Sequence, residues 1–83
     1  MPLYIADLKR YFDKAQEIGA THIIIVCDTF DYGDFPVYVM PNEDVKKIQQ
    51  EETDKPMQRV MEVYSLKLPM MDQYNEPRSF HYE

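Results

Sequence analysis

The chain has one cysteine, two glycines, no tryptophan and no long apolar run. A lone cysteine excludes an internal disulfide and a cysteine-based zinc cluster. With only Gly19 and Gly33 there is no glycine-rich loop to cradle a phosphate, so nucleotide-binding signatures are missing. The longest uninterrupted apolar stretch, Ile23 to Cys27, falls far short of the ~20 residues of a membrane span. The opening MPLYIADLKRYF lacks a basic segment followed by an apolar one, so no secretory leader is read there and the expected location is the cytoplasm. The most informative absence is positive charge. Residues 15–45 hold Glu17, Asp28, Asp31, Asp34, Glu43 and Asp44 with no Lys or Arg, a sum of −6 that equals the net charge of the whole chain. A field of that sign repels phosphate and attracts basic partners, so direct nucleic-acid binding is not expected.

What is present fits one small globular domain of 83 residues, 45% hydrophobic and 29% charged. Leu3 to Ile18 reads as an amphipathic helix, with Ile5, Leu8, Phe12 and Ala15 at helical spacing and Gly19 placed to end it. Ile23 to Phe30 reads as a strand whose continuous apolar run suggests cover on both faces. Asp31-Tyr-Gly-Asp34 is a loop, with Gly33 able to take positive φ in a hairpin. Phe35 to Met40 returns as a second strand, and Pro36, which cannot donate to a ladder, assigns it to a sheet edge.

Pro41 to Asp44 opens a second helix, capped by Asn42 and running to about Glu51, with Val45 and Ile48 inward. A polar connection over Glu52 to Pro56 leads to a third strand, Met57 to Leu66. There the pattern does not decide a face: Met61 and Val63 compete with Val60 and Tyr64. Residues 69–83 form a C-terminal extension, with a short helix over Met70 to Asn75 and with Ser79 to Tyr82 packing over the second face of the sheet. The expected fold is α+β: an αββαβ domain with a three-stranded antiparallel sheet in the order 2-1-3 and helices packed on it.

Several residues invite a chemical reading. Asp28, Asp31 and Asp34 recur at every third position, and three close carboxylates suit a hard cation. Their spacing does not match an EF-hand loop, and Asp is also an ordinary turn residue. Cys27, with His22 and His81, suggests a nucleophile and a base, but apolar and acidic surroundings raise a thiol pKa and oppose that role. His22 follows the first helix and, when charged, would favour its C-terminal end. No cofactor is implied.

The strongest remaining signal is the interleaving of acids with aromatics: Phe30, Tyr32, Phe35 and Tyr38, joined by Tyr64 and Glu62 on the third strand. Tyrosine beside carboxylate suits a protein partner rich in Arg and Lys, because the ring buries area while the charge steers. The candidate partner-binding set is Asp28, Asp31, Tyr32, Asp34, Tyr38, Glu43 and Asp44, without a catalytic or metal-ligating role. The alternative is a metal-dependent or small-ligand accessory enzyme using Asp28, Asp31 and Asp34. A homodimer through an edge strand is a third reading.

The segment His22-Ile-Ile-Ile-Val-Cys-Asp-Thr-Phe-Asp-Tyr-Gly-Asp-Phe-Pro-Val-Tyr-Val39, with Met57-Gln-Arg-Val-Met-Glu-Val-Tyr64, resembles short uncharacterised proteins of bacteriophages and prophage-bearing bacteria. The resemblance carries no named activity. It implies a phage-encoded accessory protein acting in the host cytoplasm on a basic surface of a host protein, for instance as an inhibitor of a defence or nucleic-acid-acting enzyme.

Overall fold

The computed structural model describes residues 3–83. Helix α1 spans Ile5–Ile18, strands β1 and β2 span His22–Asp28 and Asp34–Val39, helix α2 spans Val45–Asp54, strand β3 spans Gln58–Ser65, and a short helix α3 spans Met70–Tyr74. The sheet is three-stranded in the order β2-β1-β3, with both pairings antiparallel. This is the expected α+β plan.

The uninterrupted apolar run of β1 is explained by two cores. Ile23 and Ile25 point to one face and join Leu8, Phe12 and Ala15 of α1 and Tyr64 of β3. Ile24 and Val26 point to the other and join Val39, Val45 and Val63. The central strand therefore needs no polar face. Helix α1 ends as its glycine predicts: Gly19 lies at φ 77, Ala20 N–H reaches Ala15 C=O at 2.8 Å, and Gly19 N–H reaches Gln16 C=O at 3.3 Å. That pair of bonds is a Schellman stop.

Strand β3 decides its face by a bulge. The register slips between Ile25↔Glu62 and Val26↔Val60, leaving Met61 as an extra residue. Val60 and Val63 consequently share one core while Met61 and Tyr64 share the other. A spacing of three on one face is impossible in a regular strand and ordinary across a bulge.

Local chemistry corrects several expected boundaries. Strand β1 stops at Asp28 rather than Phe30, because the Asp28 carboxylate accepts the Phe30 N–H at 2.8 Å and turns the chain. Asp44, not Asn42, caps α2, its Oδ1 accepting Lys46 N–H at 3.0 Å. Residues 41–43 are instead a turn, closed by Glu43 N–H to Met40 C=O at 2.9 Å. Helix α2 runs to Asp54, past the expected end at Glu51. Its last turn is held by Glu52, a buried carboxylate that accepts Lys55 Nζ at 2.7 Å and Gln58 Nε2 at 3.0 Å. These bonds outweigh the cost of burial and hold the Glu52 carboxyl below its ordinary pKa.

The C-terminal extension closes one sheet edge. Val63 N–H donates to Ser79 C=O at 2.8 Å and His81 N–H donates to Val63 C=O at 3.0 Å, a parallel bridge along β3. Tyr82 then packs on the second core and bonds Gln49 Oε1 at 2.8 Å, as the expected cover of the second face requires. Gln73, wholly buried, ties α3 to Ser65 in both directions, at 2.8 and 2.9 Å.

His22 does not serve the end of α1. It faces the side opposite that helix, buried, with Nδ1 at 2.8 Å from the Thr21 hydroxyl. Burial, aided by Lys67 and opposed by the Tyr82 carbonyl, holds its pKa below 6.5, which favours the neutral ring.

Candidate functional site

The hairpin end of the sheet is built by two adjoining loops, 29–33 and 55–57. Asp28 and Asp31 work as turn residues: Asp28 Oδ1 accepts Phe30 N–H and Asp31 Oδ1 accepts Gly33 N–H, at 2.8 and 2.9 Å. Tyr32 N–H closes the turn on Asp28 C=O at 2.7 Å. Positive φ falls on Tyr32, at 60°, and not on Gly33. Gly33 supplies room instead, since a Cβ there would lie 3.2 Å from Asp31 Oδ1. Met57 is also at φ 60, and its carbonyl receives Thr29 N–H at 2.9 Å, which sets the two loops side by side.

Left-handed backbone at a residue with a bulky side chain costs about 1–3 kcal/mol. Here it occurs twice at one end of the molecule. Both residues are exposed, Tyr32 at 62% and Met57 at 59%, beside Phe30 at 76% and Phe35 at 37%. Large apolar groups are held outward by strained turns, among acids, as an exposed knob, and Tyr32 also lines a cavity of about 240 Å³ with Cys27, Thr29, Arg59 and Met61.

Asp34 sits differently. It starts β2, opposite Cys27 of β1, while Cys27 faces Arg59 on its other side. One Asp34 carboxylate oxygen is buried with no hydrogen-bond partner. Cys27 is buried as expected, and burial first, then Asp34, pushes its thiol pKa up, away from nucleophilic use. Asp34 also lines a cavity of about 310 Å³ together with Leu3, Ile25, Arg59, Met61, Glu62, Pro77 and Arg78.

The remaining candidates lie elsewhere. Tyr38 packs half-buried against the first core, and its hydroxyl pKa is raised by burial and then by Tyr11. Glu43 and Asp44 lie beyond the far end of β2, a strand of six residues and so roughly 17–20 Å long. Both have local duties: Glu43 Oε1 accepts Met40 N–H at 2.9 Å, and Asp44 caps α2. Tyr64 is fully buried in the core, its hydroxyl donating to Glu62 at 2.6 Å, and burial followed by Glu62 pushes its pKa up.

The seven candidates thus divide into a hairpin group (Asp28, Asp31, Tyr32, Asp34) and a separate pair at the start of α2, with Tyr38 part of the core. Among the described residues no three His, Cys, Asp or Glu side chains are grouped to hold a metal ion. Met57, Arg59 and Arg78 carry no local motif in the sequence; they come from the loop before β3, from β3 itself and from the extension after α3. Among the described residues no helix is long and apolar enough to cross a membrane. No family model matches the chain, and no curated protein or solved structure matches it either.

Proposed function

We propose that this protein is a non-enzymatic interaction module whose hairpin end docks onto a basic surface of a protein partner. The observation that carries the reading is the pair of left-handed, exposed side chains Tyr32 and Met57 beside Phe30. Strain of this kind is retained where the geometry itself is used. Aromatic and methionine side chains are the types enriched at the centres of interfaces, and the rim here is acidic (Asp28, Asp31 and Asp34). Charge at such a rim speeds encounter and selects partners more than it adds affinity. The resemblance to short bacteriophage proteins supports a host protein as the partner, with inhibition of a defence or nucleic-acid-acting enzyme as the outcome of binding.

The test is affinity capture from host cells on the wild-type chain and on Asp31→Lys, with elution by a salt gradient. The expected partner elutes early in salt and is lost on the variant, because exposed charges are screened over about 10 Å at 0.1 M salt. Capture that survives both salt and charge reversal would remove the electrostatic argument.

A further inference from the structure

In an acidic protein, opposite charges lining one cavity ordinarily pair. The cavity under the hairpin end breaks that expectation. Its charged lining is Asp34 and Glu62 against Arg59 and Arg78, over an apolar floor that includes Ile25 and Met61. Among the described residues no ion pair joins any of these four.

Two of them are occupied. Glu62 accepts the Tyr64 hydroxyl at 2.6 Å through one oxygen and Ser79 N–H at 3.1 Å through the other. Arg78 donates to Met61 C=O at 3.4 Å and lies over the Phe80 ring at 5.1 Å. Asp34, which engages the Cys27 thiol, and the exposed Arg59 are left. Asp34 holds a buried carboxylate oxygen with no partner. Arg59 has neither a hydrogen bond nor an ion pair among the described residues. Both flank Cys27 in register, on neighbouring strands to either side, so their backbones stand roughly 10 Å apart on one face. Cys27 stands between them, and no ion pair spans the gap.

We propose that this cavity binds a small zwitterion, a free α-amino acid with an apolar side chain. The ammonium meets Asp34, the carboxylate meets Arg59, and the side chain lies on Ile25 and Met61. An anion alone would face the buried Asp34 oxygen, and a cation alone would face Arg59. A group carrying both signs satisfies each with a charge-assisted hydrogen bond. A volume of about 310 Å³ is at the small end for ligand sites, suited to an amino acid and too small for a nucleotide.

The experiment is a nuclear magnetic resonance titration of the isotope-labelled full chain with L-leucine and L-phenylalanine. In parallel arms it is titrated with isoamylamine, which lacks the carboxylate, and isocaproate, which lacks the ammonium. At least one amino acid is expected to give saturable shifts at the Asp34, Arg59 and Met61 amides, with each half-molecule at least about tenfold weaker. Asp34→Asn should weaken the amino acid by about tenfold or more and strengthen isocaproate, which no longer faces a like charge. Arg59→Gln should weaken the amino acid comparably and strengthen isoamylamine, which no longer faces a like charge. Preserved spectral dispersion shows that each variant is folded. No saturable shift with either amino acid would overturn the proposal. So would a half-molecule that binds as well as the whole, or wild-type affinity in both variants. The cavity shares Asp34 with the acidic rim of the docking surface but not Phe30, Tyr32 or Met57, so failure to bind an amino acid leaves partner capture on those side chains untouched.

Discussion

The two ends of the acidic stretch carry the same sign of charge and do different work. At the start of α2, Asp44 caps the helix and Glu43 bonds the Met40 N–H. There the backbone is relaxed, and removing either acid removes a bond the fold uses. At the hairpin, the turn is closed by Asp28 and Asp31, yet the chain still holds Tyr32 and Met57 in left-handed backbone with their side chains outward. That arrangement costs stability and returns no packing. Acids at both ends bond backbone N–H groups, and only at the hairpin do they also rim exposed side chains on left-handed backbone.

The largest effect that would sharpen this contrast is on binding. Phe30→Ala with Tyr32→Ala should weaken partner capture by roughly 30-fold or more, the scale of an aromatic hot spot. The melting temperature should not fall, because neither ring is buried. A variant that unfolds would show these rings to be structural. At the other end, Asp44→Ala should leave capture intact and cost about 1 kcal/mol, read as a melting temperature lower by about 4–8 °C.

Acid should separate the ends by pH window, since both contributions are lost as pH falls. His22, near Val39 and Ser65 at the α2-start end, has a folded pKa below its ordinary 6.5. The unfolded chain therefore binds the proton first, and the contribution of His22 is present above pH 6.5 and lost as pH falls below it. Glu52, beside the hairpin end, has a folded pKa below 4.5, so its contribution persists to lower pH and is lost as pH falls through that depressed value. Melting curves across pH should show a first decline that His22→Gln removes and a later one that Glu52→Gln removes. A single decline, unaffected by His22→Gln, would contradict the assignment.

Much of the fold was legible because its signals are local. The stripe of α1 and its stop at Gly19, the continuous apolar run of β1 and Pro36 on the edge strand each state their position without reference to the rest. The Asp28 N–H to Gly33 C=O bond flanks the Cys27↔Asp34 pair, so that pair and Ile25↔Pro36, two residues on, lack mutual bonds. The donor that Pro36 lacks is thus on the outward side of β2, where it also denies a second copy one of its ladder bonds.

What was illegible depends on neighbours distant in sequence. The faces of β3 are set by the extra residue Met61, and no periodicity reveals a bulge in advance. The extra turn of α2 is stabilised by Glu52 only because Gln58 of β3 lies beside it. Positive φ went to Tyr32 because the Asp31 bond to Gly33 N–H fixes the following residue, a choice that turn propensity alone assigns to glycine. The acidic stretch looked continuous in sequence, and β2 divides it by its own length. Arg59, Arg78 and Asp34 share a cavity through the sheet and the C-terminal extension, so nothing in their spacing marks them.

The most direct measurement sets Asp31→Lys beside Glu43→Lys. Each changes the net charge by the same amount, one at each end. Partner capture and melting temperature are read for both. Docking through the hairpin end predicts that Asp31→Lys abolishes capture and Glu43→Lys keeps it, while both lower the melting temperature to a similar extent, since each acid accepts one backbone N–H at 2.9 Å. Equal loss of capture from both would show that net charge alone attracts the partner, and would contradict the hairpin end as the docking surface.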